Sequence, residues 1–210
     1  MAIRGPEYFF EKLVICATAR LGYIGSMTEL HYVRLDNRQV LKITGDDARG
    51  FLQGLVSNDL ERVSPRHAIY AALLTPQGKY LHDFFIAELS GAFYLDCEAA
   101  RIDDLFKRLR MYKLRANVEI EIAEELAVAV MFGDDIHDAL ALDPTLGAAM
   151  EWLGGVIYTD PRLSEIGTRA ILPNSSLEIA LHDEALIPAP FEDYDQLRLA
   201  LGLPDGSRDL

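Results

Sequence analysis

LKITGDDARGFLQGLVSNDL, residues 41–60, carries the chain from a strand into a helix and out again. Residues 39–44 alternate as a strand does, and Thr44, Gly45 and Asp46 then stop it and offer capping oxygens for a helix. Ala48, Phe51, Leu52, Leu55 and Val56 follow at helical period, so one face of that helix is apolar. Asp46 and Asp47 fall in its first turn, where the helix dipole favours negative charge. Gly54 permits close backbone approach at the exit, and Asn58-Asp59 can bond their own backbone to hold a tight loop. A second stretch, AALLTPQGKYLHDFF at 71–85, places Pro76-Gln77-Gly78-Lys79 between two strand-like runs, 69–75 and 80–88. That is a hairpin turn, with Gly78 available for positive φ.

Outward from these, residues 30–35 and 39–44 read as two strands joined at a hairpin-type turn around Asp36-Asn37. Residues 57–68 are a loop, 93–97 a strand, and 99–115 a helix with Ile102, Leu105, Phe106, Leu109 and Tyr112 as its buried stripe. Val118, Ile120 and Ile122 alternate with Glu119 and Glu121, the pattern of a strand buried on one side. Residues 127–132 form a short apolar strand in a central position, and 134–153 is weakly helical, interrupted by Pro144. Strands are expected at 156–159, 168–172 and 177–181, and a last helix over 192–201 before Gly202 and Pro204. Strands and helices are mixed without regular βαβ alternation. The class is therefore α+β with largely antiparallel sheet.

With 33 acidic against 20 basic residues, the formal charge of −13 disfavours broad nucleic-acid binding. No apolar run approaches the ~20 residues that span a bilayer, so no membrane partner is expected. Cys16 and Cys97 stand far apart, in no disulfide or metal spacing, which fits a reducing, cytoplasmic location. Cys97 reads as a small buried apolar residue. In residues 1–26, Glu7, Glu11 and Lys12 interrupt the apolar positions. An upstream extension is expected there rather than a signal peptide or targeting helix. No phosphate-binding glycine loop, dinucleotide fingerprint or nucleophile elbow occurs, and the acidic run Asp134-Asp135-Ile136-His137-Asp138 reads as a solvated helix start rather than a metal site.

The two quoted stretches, with FLQG…SND for a FLQG…TND pattern and YDQLRLALGLPDGSRDL near the end, resemble the glycine-cleavage T-protein superfamily, most closely its YgfZ-like branch. The resemblance covers 27–210. It implies a T-protein-like fold of two interlocked α+β subdomains, an antiparallel-sheet one and a ferredoxin-like one, here without the family's C-terminal β-barrel. It also implies tetrahydrofolate as ligand and iron–sulfur client or assembly proteins as partners. T-proteins carry an acid in the Arg–Leu–Glu–Ala–Gly pattern of the last helix; Ala200 stands there, as in the YgfZ-like branch, which argues against an aminomethyltransferase. The branch's Lys–Gly–Cys–Tyr–x–Gly–Gln–Glu motif lies beyond Leu210, and neither cysteine has its context.

The residue candidates follow. Asp83 lies amid Phe84, Phe85 and Ile86, where a carboxylate must find a partner or bear the cost of desolvation. That partner is either a backbone amide or, as the resemblance implies, the N–H edge of a pterin; His82 replaces the first acid of the family's turn. Gln53 and Asn58 are either helix-exit residues or the mouth of a folate cavity. Arg198 is either a helix ion pair or a partner for an acid near that cavity. Lys107, Arg108, Arg110, Lys113 and Arg115 complement a helix dipole, or else attract a folate glutamate tail or RNA phosphate. Three readings compete: a folate-binding assembly factor, a tetrahydrofolate-dependent transferase, and an interaction module without catalysis.

Overall fold

The structure, a computed structural model, describes residues 29–181 and 186–209, leaving aside the side chains of 178–181. The expected extension over 1–26, Cys16 within it, lies outside the described residues. In chain order the elements are β1 (His31–Arg34), β2 (Arg38–Thr44), α1 (Ala48–Gln53), β3 (Ile69–Leu74), β4 (Tyr80–Leu89), β5 (Ala92–Glu98), α2 (Ile102–Tyr112), β6 (Glu119–Ile122) and β7 (Leu126–Phe132). Then come α3 (Ile136–Ala139), β8 (Ala149–Trp152), β9 (Gly155–Thr159), β10 (Thr168–Pro173), α4 (Asn174–Leu181), β11 (Ile187–Pro188) and α5 (Phe191–Ala200). They build one sheet in the order β3-β4-β5-β2-β6 and a second in the order β11-β1-β7-β10-β9-β8. Every pairing is antiparallel except β1 with β11. The expectation of an α+β class with largely antiparallel sheet therefore holds, as two mostly antiparallel sheets with few helices.

The period-2 alternation of strands sorts side chains into three apolar layers. On the outer face of the first sheet, Leu41, Ile43, Phe84, Ile86, Phe93, Leu95 and Cys97 pack under Leu52 of α1 and Leu105 and Leu109 of α2. On its inner face, Val40, Phe85 and Ala87 meet Val33, Val128, Val130, Val156, Tyr158 and Ile171 of the second sheet, with Tyr194 of α5 among them. The far face of the second sheet is covered by Ile136, Leu142 and Leu177.

Three local expectations change. β1 and β2 are not a hairpin: β1 joins the second sheet through β7, and β2 joins the first through β5 and β6. Leu35 and Asn37 carry the chain across, and Leu35 and Val40 pack in the same inner cluster. A two-residue turn constrains chain direction, not which sheet each arm joins. The stretch 177–181 is helix α4, not a strand, since a short apolar run without a clear period is ambiguous and packing against β7 and β10 settles it. The stretch 134–153 holds only the single turn α3, and its end forms strand β8, paired with β9.

Asp46 and Asp47 also act differently from caps. Asp47 makes no side-chain cap bond to α1. Its Oδ2 accepts from the Asn117 backbone N–H at 2.7 Å, and Asp46 Oδ2 accepts from Asn117 Nδ2 at 3.2 Å. The two acids clasp the start of β6 to the end of β2.

Candidate functional site

Asp83 is buried, 5% exposed, on the inner face of β4 between Phe85 and the hairpin. Its Oδ2 accepts from the Tyr70 hydroxyl and its Oδ1 from the Tyr80 hydroxyl, both at 2.7 Å. Tyr70 reaches it from the neighbouring strand β3. Tyr80 lies three residues away on the same strand, where simple alternation would point it to the opposite face. The pairing register slips between Leu73 and Leu74, so that Leu73 faces His82 while Leu74 faces Tyr80. That irregularity leaves Leu81 as an extra residue and re-aims Tyr80 towards the acid. Burial, the bond to Asp83 and its negative charge, in that order, push both phenols up from their ordinary value, so they stay neutral donors at physiological pH. An ionised carboxylate offers about four acceptor positions. The two tyrosines use one on each oxygen, leaving room for two further N–H donors.

Beside Asp83 the inner face carries a cationic platform. Phe85 lies under Arg169 at 4.0 Å and Arg162 at 4.7 Å from guanidinium carbon to ring centroid. Such contacts contribute on the order of 0.5–2 kcal/mol each. Arg169 and Arg38 both bind the fully buried Asp96: Arg38 Nε to Oδ1 at 2.6 Å, Arg169 Nη2 to Oδ2 at 2.5 Å. Burial alone would raise the Asp96 carboxyl, but the charges of Arg169 and Arg38 outweigh it and hold the group below the usual carboxylate range. Arg162 pairs with Asp160 at 2.8 Å.

Among the candidates read from sequence, Asn58 joins Asp83 through one intermediary: its Nδ2 donates to the Tyr70 carbonyl at 2.9 Å. Gln53 accepts from the Leu60 N–H at 2.6 Å and braces the exit of α1, making no contact with the acid. Arg198 is 2% exposed and binds Asp195 at 2.6 Å, Asp209 at 2.5 Å and the Leu203 carbonyl at 3.0 Å. It therefore anchors the segment after α5, whose Gly206 lies against Asp83. In the basic cluster, Arg108 pairs with Asp104 and Arg110 lies over Phe106, while Met111, Tyr112 and Leu114 are exposed beside them. Tyr112 thus leaves the expected buried stripe.

Sequence reasoning missed Tyr70, Tyr80, Arg38, Arg162 and the closing segment. Tyr70 carried a signal, since it breaks the apolar run of β3 on the face opposite Ile69 and Ala71. Tyr80 carried none, because its direction depends on the slip in register.

His82 faces away from Asp83, towards α2, with its Nε2 2.8 Å from Asp104 Oδ2. Burial lowers its pKa from the ordinary 6.5, against the opposing bond to Asp104. The folded imidazole binds its proton less readily than the unfolded one, so stability rises with pH between the two values. NMR titration should place the His82 midpoint below 6.5, and Asp104→Asn should lower it further; a midpoint raised by that substitution would contradict the arrangement.

Comparison with known proteins adds lineage. No family model matches the chain. It is 32% identical over 197 residues to the human mitochondrial iron–sulfur cluster assembly factor IBA57, an alignment covering 84% of this chain and 52% of that protein. The mouse factor is 29% identical over 198 residues with the same coverages, and the Neurospora crassa homologue 24% over 197 residues, covering 89% and 44%. The chain thus spans about half the length of these relatives. The glycine cleavage aminomethyltransferase T of Bartonella henselae superposes with a TM-score of 0.70 at 18% identity, covering 84% of this chain and 52% of that one. The expected cytoplasmic location is overturned, because these relatives are mitochondrial proteins and point to that compartment. The wide spacing of two cysteines in sequence does not distinguish one reducing compartment from another. In sequence the chain is similar to the IBA57 iron–sulfur cluster assembly factors over about half of their length, and its backbone has the fold of the glycine cleavage T-protein, which is consistent with a YgfZ/IBA57-like protein of that superfamily.

Proposed function

We propose that this chain binds tetrahydrofolate on the Asp83 face and serves iron–sulfur cluster assembly as a binding protein rather than as a self-sufficient transferase. The assembly role is supported by the relatives' names. The observation that carries the ligand is Asp83, a buried carboxylate held by two tyrosine hydroxyls with acceptor capacity left over. A pterin presents adjacent N–H donors, which suit a fixed carboxylate as a bidentate pair. The tyrosines hold the carboxylate in one orientation, so little is lost in ordering it on binding. Phe85 and its stacked guanidiniums give a flat, cationic neighbour for a ring and its carboxylate tail. Asn58 supports the site through Tyr70, and Arg198 through the segment it anchors. Ala200 leaves the last helix without the acid of transferases, which disfavours group transfer.

Calorimetry with tetrahydrofolate tests this reading. Asp83→Ala removes two charge-assisted bonds of about 1.5–3 kcal/mol each, so affinity should fall roughly a hundredfold or more. The variant should remain folded, because Tyr70 and Tyr80 are only half buried and their freed hydroxyls can reach water. Unchanged affinity would remove Asp83 from the site. A single-turnover assay for folate-dependent group transfer separates binding protein from transferase.

A further inference from the structure

The residues after α5 run directly across the Asp83 surroundings. Gly202 turns the chain at φ +71, and each of the next residues then occupies one polar group of the site. The Pro204 carbonyl accepts from Arg162 Nη1 at 3.0 Å. The Asp205 carboxylate accepts from Asn37 Nδ2 at 3.3 Å and lies 3.6 Å from Arg38 Nη1. Gly206 presses so close that a Cβ there would sit 3.4 Å from Asp83 Oδ1 and 2.9 Å from Glu98 Oε2. Ser207 donates to Glu98 twice, from its backbone N–H at 3.2 Å and its hydroxyl at 2.6 Å. Asp209, bound to Arg198, ties down the far end.

We infer that Pro204–Ser207 is an internal ligand of the Asp83 site, and that Arg38, Arg162 and Glu98, the groups it occupies, form the second half of a binding surface for an anionic ligand with an amide edge. The strap offers a carbonyl, a carboxylate, an N–H and a hydroxyl along one short path. A lactam ring joined to a carboxylate-bearing tail offers nearly the same set. This inference rests on the folate reading and adds to it the residues that meet the ligand's far end and the segment that must leave.

Charge explains why an anion is selected. With Asp205 withdrawn, Arg38 and Arg169 share the single carboxylate of Asp96, while Arg162 keeps Asp160. The Arg38–Arg169 end then carries one uncompensated positive charge, buried and therefore weakly screened, while the acids Asp83 and Glu98 at the other end accept from N–H and O–H donors. Release without a ligand bears the cost of the charge stranded at Arg38, and a ligand anion that takes the place of Asp205 removes that cost. Among Leu203–Ser207 only Gly206 is buried, so little apolar surface is exposed. Each lost hydrogen bond is worth about 1 kcal/mol net, partly offset by the conformational freedom the segment regains. While the strap is seated, apparent ligand affinity is reduced by the fraction of molecules that are open.

The test is calorimetry with tetrahydrofolate on the native chain and on the double variant Asp205→Ala/Ser207→Ala, with hydrogen exchange at the Ser207 amide read in both states. The double variant removes three strap contacts, those of the Asp205 carboxylate with Asn37 and Arg38 and that of the Ser207 hydroxyl with Glu98, and leaves Asp83, Arg38 and Arg162 in place. It should bind about tenfold tighter, and saturating ligand should speed exchange at the Ser207 amide of the native chain. Binding by the variant alone would support the inference as well. If the native chain binds but the variant binds no tighter and Ser207 keeps its protection in the complex, the strap is structural and the inference is overturned while the folate reading stands. If neither protein binds, the folate reading fails and takes the inference with it.

Discussion

Asp96→Ala should lose about 3–5 kcal/mol of stability, the cost of stranding buried charge by removing its partner. For a chain of this length that corresponds to a fall in melting temperature of roughly 10 °C or more. Asp96 is the only carboxylate within bonding reach of Arg169 among the described residues, and Arg38's other acid, Asp205, lies 3.6 Å away. Both guanidiniums have side chains 3% exposed or less, so neither can turn to water once the acid is gone. Their loss would also reach Phe85, which packs under Arg169, and Tyr194, which accepts from it at 3.1 Å. The native protein should show the same dependence through pH. The folded carboxyl is held below its ordinary range, so its contribution is complete above the unfolded value of about 3.9 and fades as pH falls through the lower folded one. Chemical denaturation at neutral pH and an acid titration of the native chain check both statements. A loss under about 1 kcal/mol would mean the two arginines find other partners.

Gly45→Ala should cost about 2–4 kcal/mol, combining backbone strain with overpacking. Gly45 sits at φ +111, and a Cβ there would lie 2.2 Å from the Asn117 carbonyl oxygen. That carbonyl also accepts from the Asp47 N–H at 3.3 Å, within the clasp that starts β6. The clash is with backbone, so relief requires β6 to move away from β2. Gly50→Ala supplies the contrast: a Cβ on that α1 residue meets nothing within 4 Å. In a helix the change from glycine should stabilise by roughly 0.5–1 kcal/mol. Urea unfolding of the two variants should therefore shift in opposite directions; equal shifts would refute the clasp.

The T-G-D-D sequence shows how far local reading reaches. Its glycine and acids mark a strand end correctly, because strand termination is a local matter of backbone freedom and side-chain oxygens. Their partner, Asn117, lies some seventy residues away, so the acids read as helix caps when they are a clasp. Asp83 follows the same rule. A carboxylate among aromatic residues announces that it has partners, and the hairpin around Gly78 is legible from its turn residues. Which partners it has was not legible. Alternation accounts for Tyr70, but Tyr80 arrives only through the slip at Leu73 and Leu74, which no residue type signals.

Arg198 divides likewise. Its match to a family pattern singled it out, yet its role is anchorage of Pro204–Asp209 rather than direct contact with the acid. Gln53 accepts from the Leu60 N–H and braces a loop, which its position at a helix exit already implied.

Periodicity, turn chemistry and motif spacing were enough to set the strand-rich α+β class, the central hairpin, the last helix and the need of the carboxylate at position 83 for partners, since each depends on neighbours within a few residues. Packing alone decided that β1 and β2 part into different sheets, that 177–181 coils rather than extends, and that the segment after α5 returns to lie on Asp83. Those outcomes depend on which apolar faces meet and which buried charges find one another across the chain, quantities that no short window of residues contains.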